Sequence, residues 1–499
     1  MIWTIIFLIQ ALLIYLVLSK RSRLSREPPL DKGVIPWLGH ALEFGKDAAK
    51  FLTRMKMKHG DIFTVRVAGQ YVTVLLDPHS YDEVLQDTKC LDFSRYAQVL
   101  MERIFSLRLP HYNPAKDRAM MGQHFRGKSL TLLNGTMQRH LQALLLADTP
   151  PKPTDWKTDG LFNFSYSLLF RAGYLTLFGG ELNNNSVDPS RVYKEFRNFD
   201  RLLTKMARNT LKPEEKRTAQ DLRSRLWELL APAGLAPEGQ APAPGSSAWL
   251  HGYRQQLQQA GADEDTQRRA TLLQLWATQG NVGPAAFWLL GFLLSHPEAL
   301  GAVRRELESL APLRQSTAQQ PPLVDRLQNT PVFDSALEEA LRLTAAPFIT
   351  REVLQGKALR MADGQEFQIR RGDRVMLFPL ISPQMDPEVH QEPQKYKYDR
   401  FLNADGSEKT DFSKGGRPLK YYSMPWGAGA NGCVGKRFAI SAIRQCVRPP
   451  FIYLVLAHYD LELCDPEAQL PKADAGRNGF GMLQPDGDVP IRYRLKTFS

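Results

Sequence analysis

One short segment restricts the fold more than any other: Pro425-Trp426-Gly427-Ala428-Gly429-Ala430-Asn431-Gly432-Cys433-Val434-Gly435. A single cysteine sits among four glycines, and a helical pattern, Lys436 to Cys446, starts directly after it. Glycines let backbone N–H groups approach a sulfur or a bound group closely. The N-terminus of a helix adds positive potential, which pulls a thiol towards thiolate. A loop built this way presents a sulfur ligand. Cys90, Cys446 and Cys464 lack such surroundings and read as small buried hydrophobes. Four cysteines so unevenly spread form no disulfide framework, which points to a reducing compartment.

The N-terminus carries the second constraint. Ile2 to Leu18 is almost wholly apolar, broken only by Thr4 and Gln10, and is just long enough to span a bilayer. Lys20, Arg21 and Arg23 follow, and no small-residue cleavage site closes the run. That positive flank keeps the rest of the chain cytosolic. Residues 1–24 are therefore expected to form a single-pass membrane anchor. Residues 25–36, with Pro28, Pro29 and Pro36, are expected to be a stiff connector to one domain at 37–499. Hydrophobic residues at 43% and charged residues at 23% exclude a disordered or multi-span chain. Lysine and arginine (64) exceed aspartate and glutamate (52), and the resulting +12 favours an anionic membrane or protein face. The basic residues are scattered, so no nucleic acid partner is expected.

Strand signals at Ile62–Val67 and Val72–Leu76 turn at Gly69. Helical periodicity then runs from about Asp82 to Leu310, interrupted by a Pro/Ala/Gly-rich loop at Ala231–Gly245. Strands return between Leu359 and Phe378, where Phe367-Gln368-Ile369 and Val375-Met376-Leu377-Phe378 flank a turn at Arg371-Gly372-Asp373. A terminal pair, Gly479–Leu483 and Val489–Tyr493, completes an α+β chain that is mostly α-helical with a minor sheet. Arg448-Pro449-Pro450 interrupts the helix expected to run on from the cysteine loop.

The cysteine segment resembles the haem-binding loop of the cytochrome P-450 superfamily, Phe-x-x-Gly-x-Arg-x-Cys-x-Gly. Gly429, Cys433 and Gly435 match it. Trp426 replaces the phenylalanine and keeps an aromatic cover over the sulfur; Asn431 replaces the basic residue that contacts a haem propionate. Two more segments agree in order and spacing. Glu339-Ala340-Leu341-Arg342 sets a carboxylate and a guanidinium one helical turn apart, and Tyr398-Asp399-Arg400-Phe401 follows. The resemblance covers essentially the whole chain. It implies the P-450 fold, haem b (iron protoporphyrin IX) as cofactor, Cys433 as its axial metal ligand, and a structural triad of Glu339, Arg342 and Arg400.

Thr271 to Ser295 reads as a long apolar helix, which in the family crosses the distal side of the haem. Most members carry an acid–threonine couple there that relays protons to dioxygen. This chain has Gly280-Asn281-Val282-Gly283-Pro284, with Gly283 and Pro284 at the acid and threonine positions; neither carries a proton. Proline inside a helix costs about 3 kcal/mol and removes a donor, so a kink is expected. A haem protein without a proton relay suits a substrate that brings its own O–O bond. The runs Ile35–Gly39, Leu273–Asn281 and Thr344–Val353 resemble an endoperoxide-isomerising branch of the superfamily. That resemblance implies isomerisation of prostaglandin H2 to prostacyclin by O–O homolysis. It also implies the endoplasmic reticulum membrane, a cytosolic catalytic domain, and no obligatory reductase. The alternatives are a thromboxane-type isomerase, a sterol-type monooxygenase and a non-catalytic membrane haem sensor.

By position in the family, Cys433 and Asn281 are the catalytic residues. Arg103 and Leu109 of the variable stretch Leu100–Tyr112, with Trp276, Asn281, Thr350, Arg351 and Arg374, are the substrate-binding ones. Arg118, Lys128, Asn431, Arg351 and Arg374 are options for haem binding, because a cation beside a buried carboxylate is the stable arrangement. On residue chemistry alone, Trp276 is more often core than site, a structural role for Asn281 is nearly as common, and any one of the cations is open to a reading as a surface charge. Asn134, Asn163 and Asn184 head Asn-x-Ser/Thr matches that stay bare in a cytosolic body.

Overall fold

A computed structural model describes residues 3–7, 9–10, 21–109, 112–148, 155–179, 187–230, 247–309, 330–444, 455–456 and 459–496. Ile62–Val67 and Gln70–Leu75 pair antiparallel across Ala68-Gly69, both at positive φ (47° and 79°), the left-handed turn that matches strand twist. A side chain at Gly69 would also strike the Trp37 indole. Gln70–Leu75 runs parallel to Arg374–Leu377, which pairs antiparallel with Ile349–Val353 and, through it, with Leu91–Asp92. Leu30–Asp31 closes the other edge of this six-stranded sheet. A parallel pair requires a crossover, and here the crossover is nearly the whole helical body.

At the centre of that body lies Leu161–Phe178, in which every residue except Asn163, Ser167 and Arg171 is buried. A helix apolar on all sides belongs in a core. It packs against Gly127–Asp148, Pro189–Arg201 and Val282–Ser295, the last also buried almost throughout.

Several expectations change. Glu366–Ile369 pairs with Lys357–Arg360, while Arg374–Leu377 joins the large sheet instead. Gly479–Leu483 is not a strand: Gly479 and Gly481 at φ 97° and 88° turn it out of extended geometry, leaving single bridges from Pro347 to Gly479 and from Ala345 to Met482. Pro490–Leu495 pairs instead with Tyr459–Leu463 and with Lys157–Gly160, a strand whose polar sequence hid it. The stretch from Leu100 begins inside the helix Ser94–Phe105. Cys464 is exposed rather than buried, because it follows the edge of that small sheet. Helix Lys436–Arg444 follows the cysteine loop; Cys446, Arg448-Pro449-Pro450, the 231–245 loop and Asn184 lie outside the described residues.

Of the expected anchor, residues 3–7 and 9–10 are helical and most of the rest lies outside the described residues. Among the described residues no single helix is long and apolar enough to cross a membrane. Neither the connector nor the end of the expected anchor, Arg21 to Leu24, is a free link. Arg21 Nη1 donates to both carboxylate oxygens of Asp373 at 2.7 Å, and Arg370 pairs with the buried Glu27 and donates to Ser22 O at 2.8 Å. The Pro29 carbonyl accepts from Thr64 N at 2.7 Å. Proline lacks a donor but keeps its acceptor, so a proline-rich segment can still dock along a sheet edge.

Candidate functional site

Glu339 and Arg342 lie wholly buried on the helix Pro331–Thr344. Arg342 donates to Glu339 through Nε (2.6 Å) and Nη2 (2.8 Å), and Arg400 Nε reaches both carboxylate oxygens at 2.9 Å. Lys397 N–H adds another donor at 3.1 Å. The remaining guanidinium nitrogens find carbonyls: Arg342 Nη1 that of Gln384 (2.5 Å), Arg400 Nη1 that of Gln391 (2.7 Å) and Arg400 Nη2 that of Lys395 (3.0 Å). Buried charges are tolerated only when saturated in this manner. The expected triad is present, and it ties the helix to the segment preceding the cysteine loop.

In that loop Gly427 and Gly429 have positive φ, 64° and 66°, and a Cβ on Gly429 would lie 2.8 Å from Leu85 O. Cys433 N donates to Trp426 O at 2.8 Å. The backbone N–H groups of Gly435 and Lys436 are directed at the sulfur, and Lys436 and Arg118 add positive charge. Solvent can still reach the residue, yet protein walls its sulfur. Burial outweighs those donors and pushes the thiol above its ordinary range, so the helix terminus alone does not make a thiolate. A coordinating metal ion would.

The expected cations divide. Arg118 Nη1 donates to Gly432 O (2.6 Å) and Nη2 to Asn431 Oδ1 (3.2 Å), so Asn431 orients a guanidinium beside the cysteine loop. Arg351 is buried, its Nη1 meets only Thr350 O at 2.9 Å, and its Nη2 has no partner. Burial, then Arg118's charge, lowers its pKa to about 10. A buried guanidinium with an open N–H beside another cation is a place for an anion. A cavity of about 670 Å³ lies against the loop, lined in part by Asp92, Asn113, Arg118, Arg126 and Asn431. Lys128 does not line it; it is exposed at the start of helix Gly127–Asp148, and Arg126, which the motifs did not single out, lines the cavity instead.

Strand register separates Arg351 from Arg374. Arg351 faces Val375 and Arg374 faces Glu352, so the two arginines stand on opposite faces of the sheet. Arg374 lies 4.9 Å from the centre of the Tyr96 ring with its Nε unpartnered, and Arg103 and Arg208 add positive charge near the same tyrosine. Arg103 Nη1 is held by Ala207 O at 3.0 Å. Thr350 is buried, and Leu109 packs on the main core.

The long helix is interrupted at Gly280-Asn281, about one turn before Pro284 rather than at it, which leaves Glu264–Gln279 and Val282–Ser295. Pro284 cannot donate to the carbonyl four residues earlier, Gly280 O, which is buried. Tyr166 Oη donates to it instead, at 3.3 Å. Gly283 has no room for a side chain, because a Cβ would overlap the Tyr166 ring. Gly283→Ala is expected to lower stability by about 1–3 kcal/mol, read as a fall in the urea midpoint, since the ring sits in a full core. Asn281 differs from expectation: its Oδ1 accepts from Met482 N at 2.9 Å and clamps the break to the C-terminal loop, leaving only its amide N–H for a ligand. Trp276 packs 6.0 Å from Phe105, ring centre to ring centre, and its buried indole N–H has no partner.

A sulfur with N–H groups aimed at it, an open buried guanidinium and an apolar helix interrupted across the core make up the candidate site. The chain belongs to the cytochrome P450 family, whose model matches residues 28–491. It is 52% identical to the human protein named prostacyclin synthase over 489 residues, 95% of each chain, and 53% identical to the rat protein of that name over the same shares. It is 42% identical over 482 residues to the human 7-alpha-hydroxycholest-4-en-3-one 12-alpha-hydroxylase, covering 95% of this chain and 94% of that one. The fold matches that of the retinoic acid bound cyanobacterial CYP120A1 with a TM-score of 0.70 at 19% identity, over 94% of this chain and 99% of that one. The family's cofactor is haem, and the open donors of Arg351 and the N–H groups at Cys433 fit such a group.

Proposed function

We propose that this chain isomerises prostaglandin H2 to prostacyclin at a cysteine-ligated haem b, with neither dioxygen nor a reductase. The observation that carries the reading is the broken distal helix, where Gly283 and Pro284 stand in place of an acid and a hydroxyl and the space behind Gly283 is filled by Tyr166. The name shared by relatives at 52% and 53% identity supports the same reaction. When bound, the haem iron supplies a one-electron centre at which a peroxide bond splits.

Cys433 would hold the haem through its sulfur, whose negative charge the N–H groups of Gly435 and Lys436 would support. Arg118 and Arg351 would hold its propionates, the second through the donor that has no protein partner. Arg103 and Arg374, beside Tyr96, serve the substrate with Leu109, Thr350 and Trp276; Asn281 donates its amide N–H. Residues 1–24 anchor the chain once through the endoplasmic reticulum membrane with residues 37–499 in the cytosol. The Arg21–Asp373 and Arg370–Glu27 pairs fix the angle at which the domain leaves it.

The test is purified, haem-loaded protein given prostaglandin H2 without oxygen, NADPH or reductase. Prostacyclin, detected as its hydrolysis product, is expected at the same rate when reductase and NADPH are added. A strict requirement for both, with a hydroxylated sterol as product, would instead favour the reading named by the 42% relative. Thromboxane as product would move the assignment to the thromboxane-type reaction, and gas binding without any product would leave a haem sensor.

A further inference from the structure

We infer that Tyr166 is a positioning residue for this reaction: its hydroxyl replaces the helix hydrogen bond that Pro284 abolishes and so fixes the broken distal helix in one shape. Four observations converge on it. Pro284 has no N–H, which strips the buried Gly280 carbonyl of its regular donor. Tyr166 Oη reaches that carbonyl at 3.3 Å from another helix, 114 residues earlier in the chain. Gly283, one residue before the proline, is open on the side facing Tyr166, and the ring fills that opening. Tyr166 is itself immobilised: it is fully buried, Arg197 lies 4.7 Å from its ring centre, and Phe162 and Tyr193 rings stand at 5.5 Å and 5.7 Å.

Charge fixes the direction of the bond. Burial, then the nearby Asp200 carboxylate, holds the phenol well above its ordinary range, so it stays protonated and donates. Asp200 is in turn saturated by Arg477 (3.0 Å) and Gln484 (2.7 Å) and does not compete for the hydroxyl. On the opposite side Asn281 Oδ1 holds Met482 N. The two-residue break is thus gripped by one side chain reaching in and one reaching out. An unsatisfied buried carbonyl would drive the segment to find water or another partner, and Asn281 would move with it.

This inference rests on the isomerase reading for its effect on turnover but not for its effect on structure, and the test separates them. Haem-loaded wild type, Tyr166→Phe, Pro284→Ala and the double variant are compared by amide hydrogen exchange over residues 276–286, by urea unfolding and by kcat and KM on prostaglandin H2. Tyr166→Phe is expected to speed exchange in that segment about tenfold, leave exchange in the large sheet unchanged, and lower kcat about fivefold or more with a smaller change in KM. Pro284→Ala returns an N–H to the Gly280 carbonyl, so adding Tyr166→Phe to that variant should cost less than twofold in either readout. Should Tyr166→Phe alone fail to fold, recovery of a folded double variant supports the inference equally. Unchanged exchange at 276–286, protection lost evenly across the protein, or no rescue by Pro284→Ala would overturn it. Wild type inert towards the endoperoxide, with the exchange coupling intact, would overturn the isomerase reading and leave the clamp standing.

Discussion

Glu339→Ala is expected to destabilise the protein strongly. The carboxylate accepts from Arg342, Arg400 and the Lys397 N–H, and neither it nor Arg342 is reached by solvent. Removing it strands one guanidinium that no water can reach and a second that is nearly as enclosed. Breaking a buried pair from one side typically costs about 3–5 kcal/mol, a large part of the roughly 5–15 kcal/mol that holds a domain together. Glu339→Gln keeps the shape but not the charge and should fall between Glu339→Ala and wild type. Arg400→Ala should be milder, because its carbonyl partners at Gln391 and Lys395 are near solvent. The check is urea unfolding with haem absorbance followed in parallel: haem retention should fail at the same denaturant concentration at which the helix Pro331–Thr344 loses protection. Equal midpoints for Glu339→Ala and wild type would contradict the account of the triad.

The second large effect belongs to Cys433. Cys433→Ala removes the sulfur but keeps the backbone bond from residue 433 to Trp426 O, so the loop should survive. The reduced, carbon-monoxide-bound protein is expected to lose the red-shifted absorbance that a thiolate ligand produces, and endoperoxide turnover should fall to background. Cys433→Ser tests whether the N–H groups of Gly435 and Lys436 suffice to hold a harder ligand; weak haem binding with no red-shifted band is expected. An unchanged band in Cys433→Ala would refute the ligand assignment.

What the sequence exposes is what local pattern encodes. A glycine-rich loop before a helix, a Glu and an Arg one turn apart, and a proline inside an apolar helix each lie within a dozen residues, and each is found where its chemistry puts it. The Arg400 partner follows from family order. Features made by distant chain segments are not visible in this way. Nothing near Tyr166 announces that its hydroxyl serves Gly280, since the need arises at Pro284 and the supply 114 residues upstream. The opposite faces of Arg351 and Arg374 depend on a strand pairing that a linear reading cannot assign. Lys128 and Arg126 are two residues apart, yet helix Gly127–Asp148 starts between them and only Arg126 lines the cavity. Gly479–Leu483 has the alternation of a strand, but two left-handed glycines override it. The docked connector was concealed for a different reason: prolines signal stiffness, whereas its attachment comes from charges on Arg21, Glu27, Arg370 and Asp373 that are 340 and more residues apart.

Isomerisation moves atoms within one molecule and takes none from solvent or air. Prostaglandin H2 carrying oxygen-18 at both peroxide positions, turned over by the haem-loaded protein in unlabelled water under ordinary oxygen, therefore gives the most direct measurement. Prostacyclin retaining both heavy oxygens, one in the new ring and one as a hydroxyl, is the predicted result. Product carrying an oxygen from air or water in place of either label would show that the distal side handles an outside oxidant after all, and the account would fail.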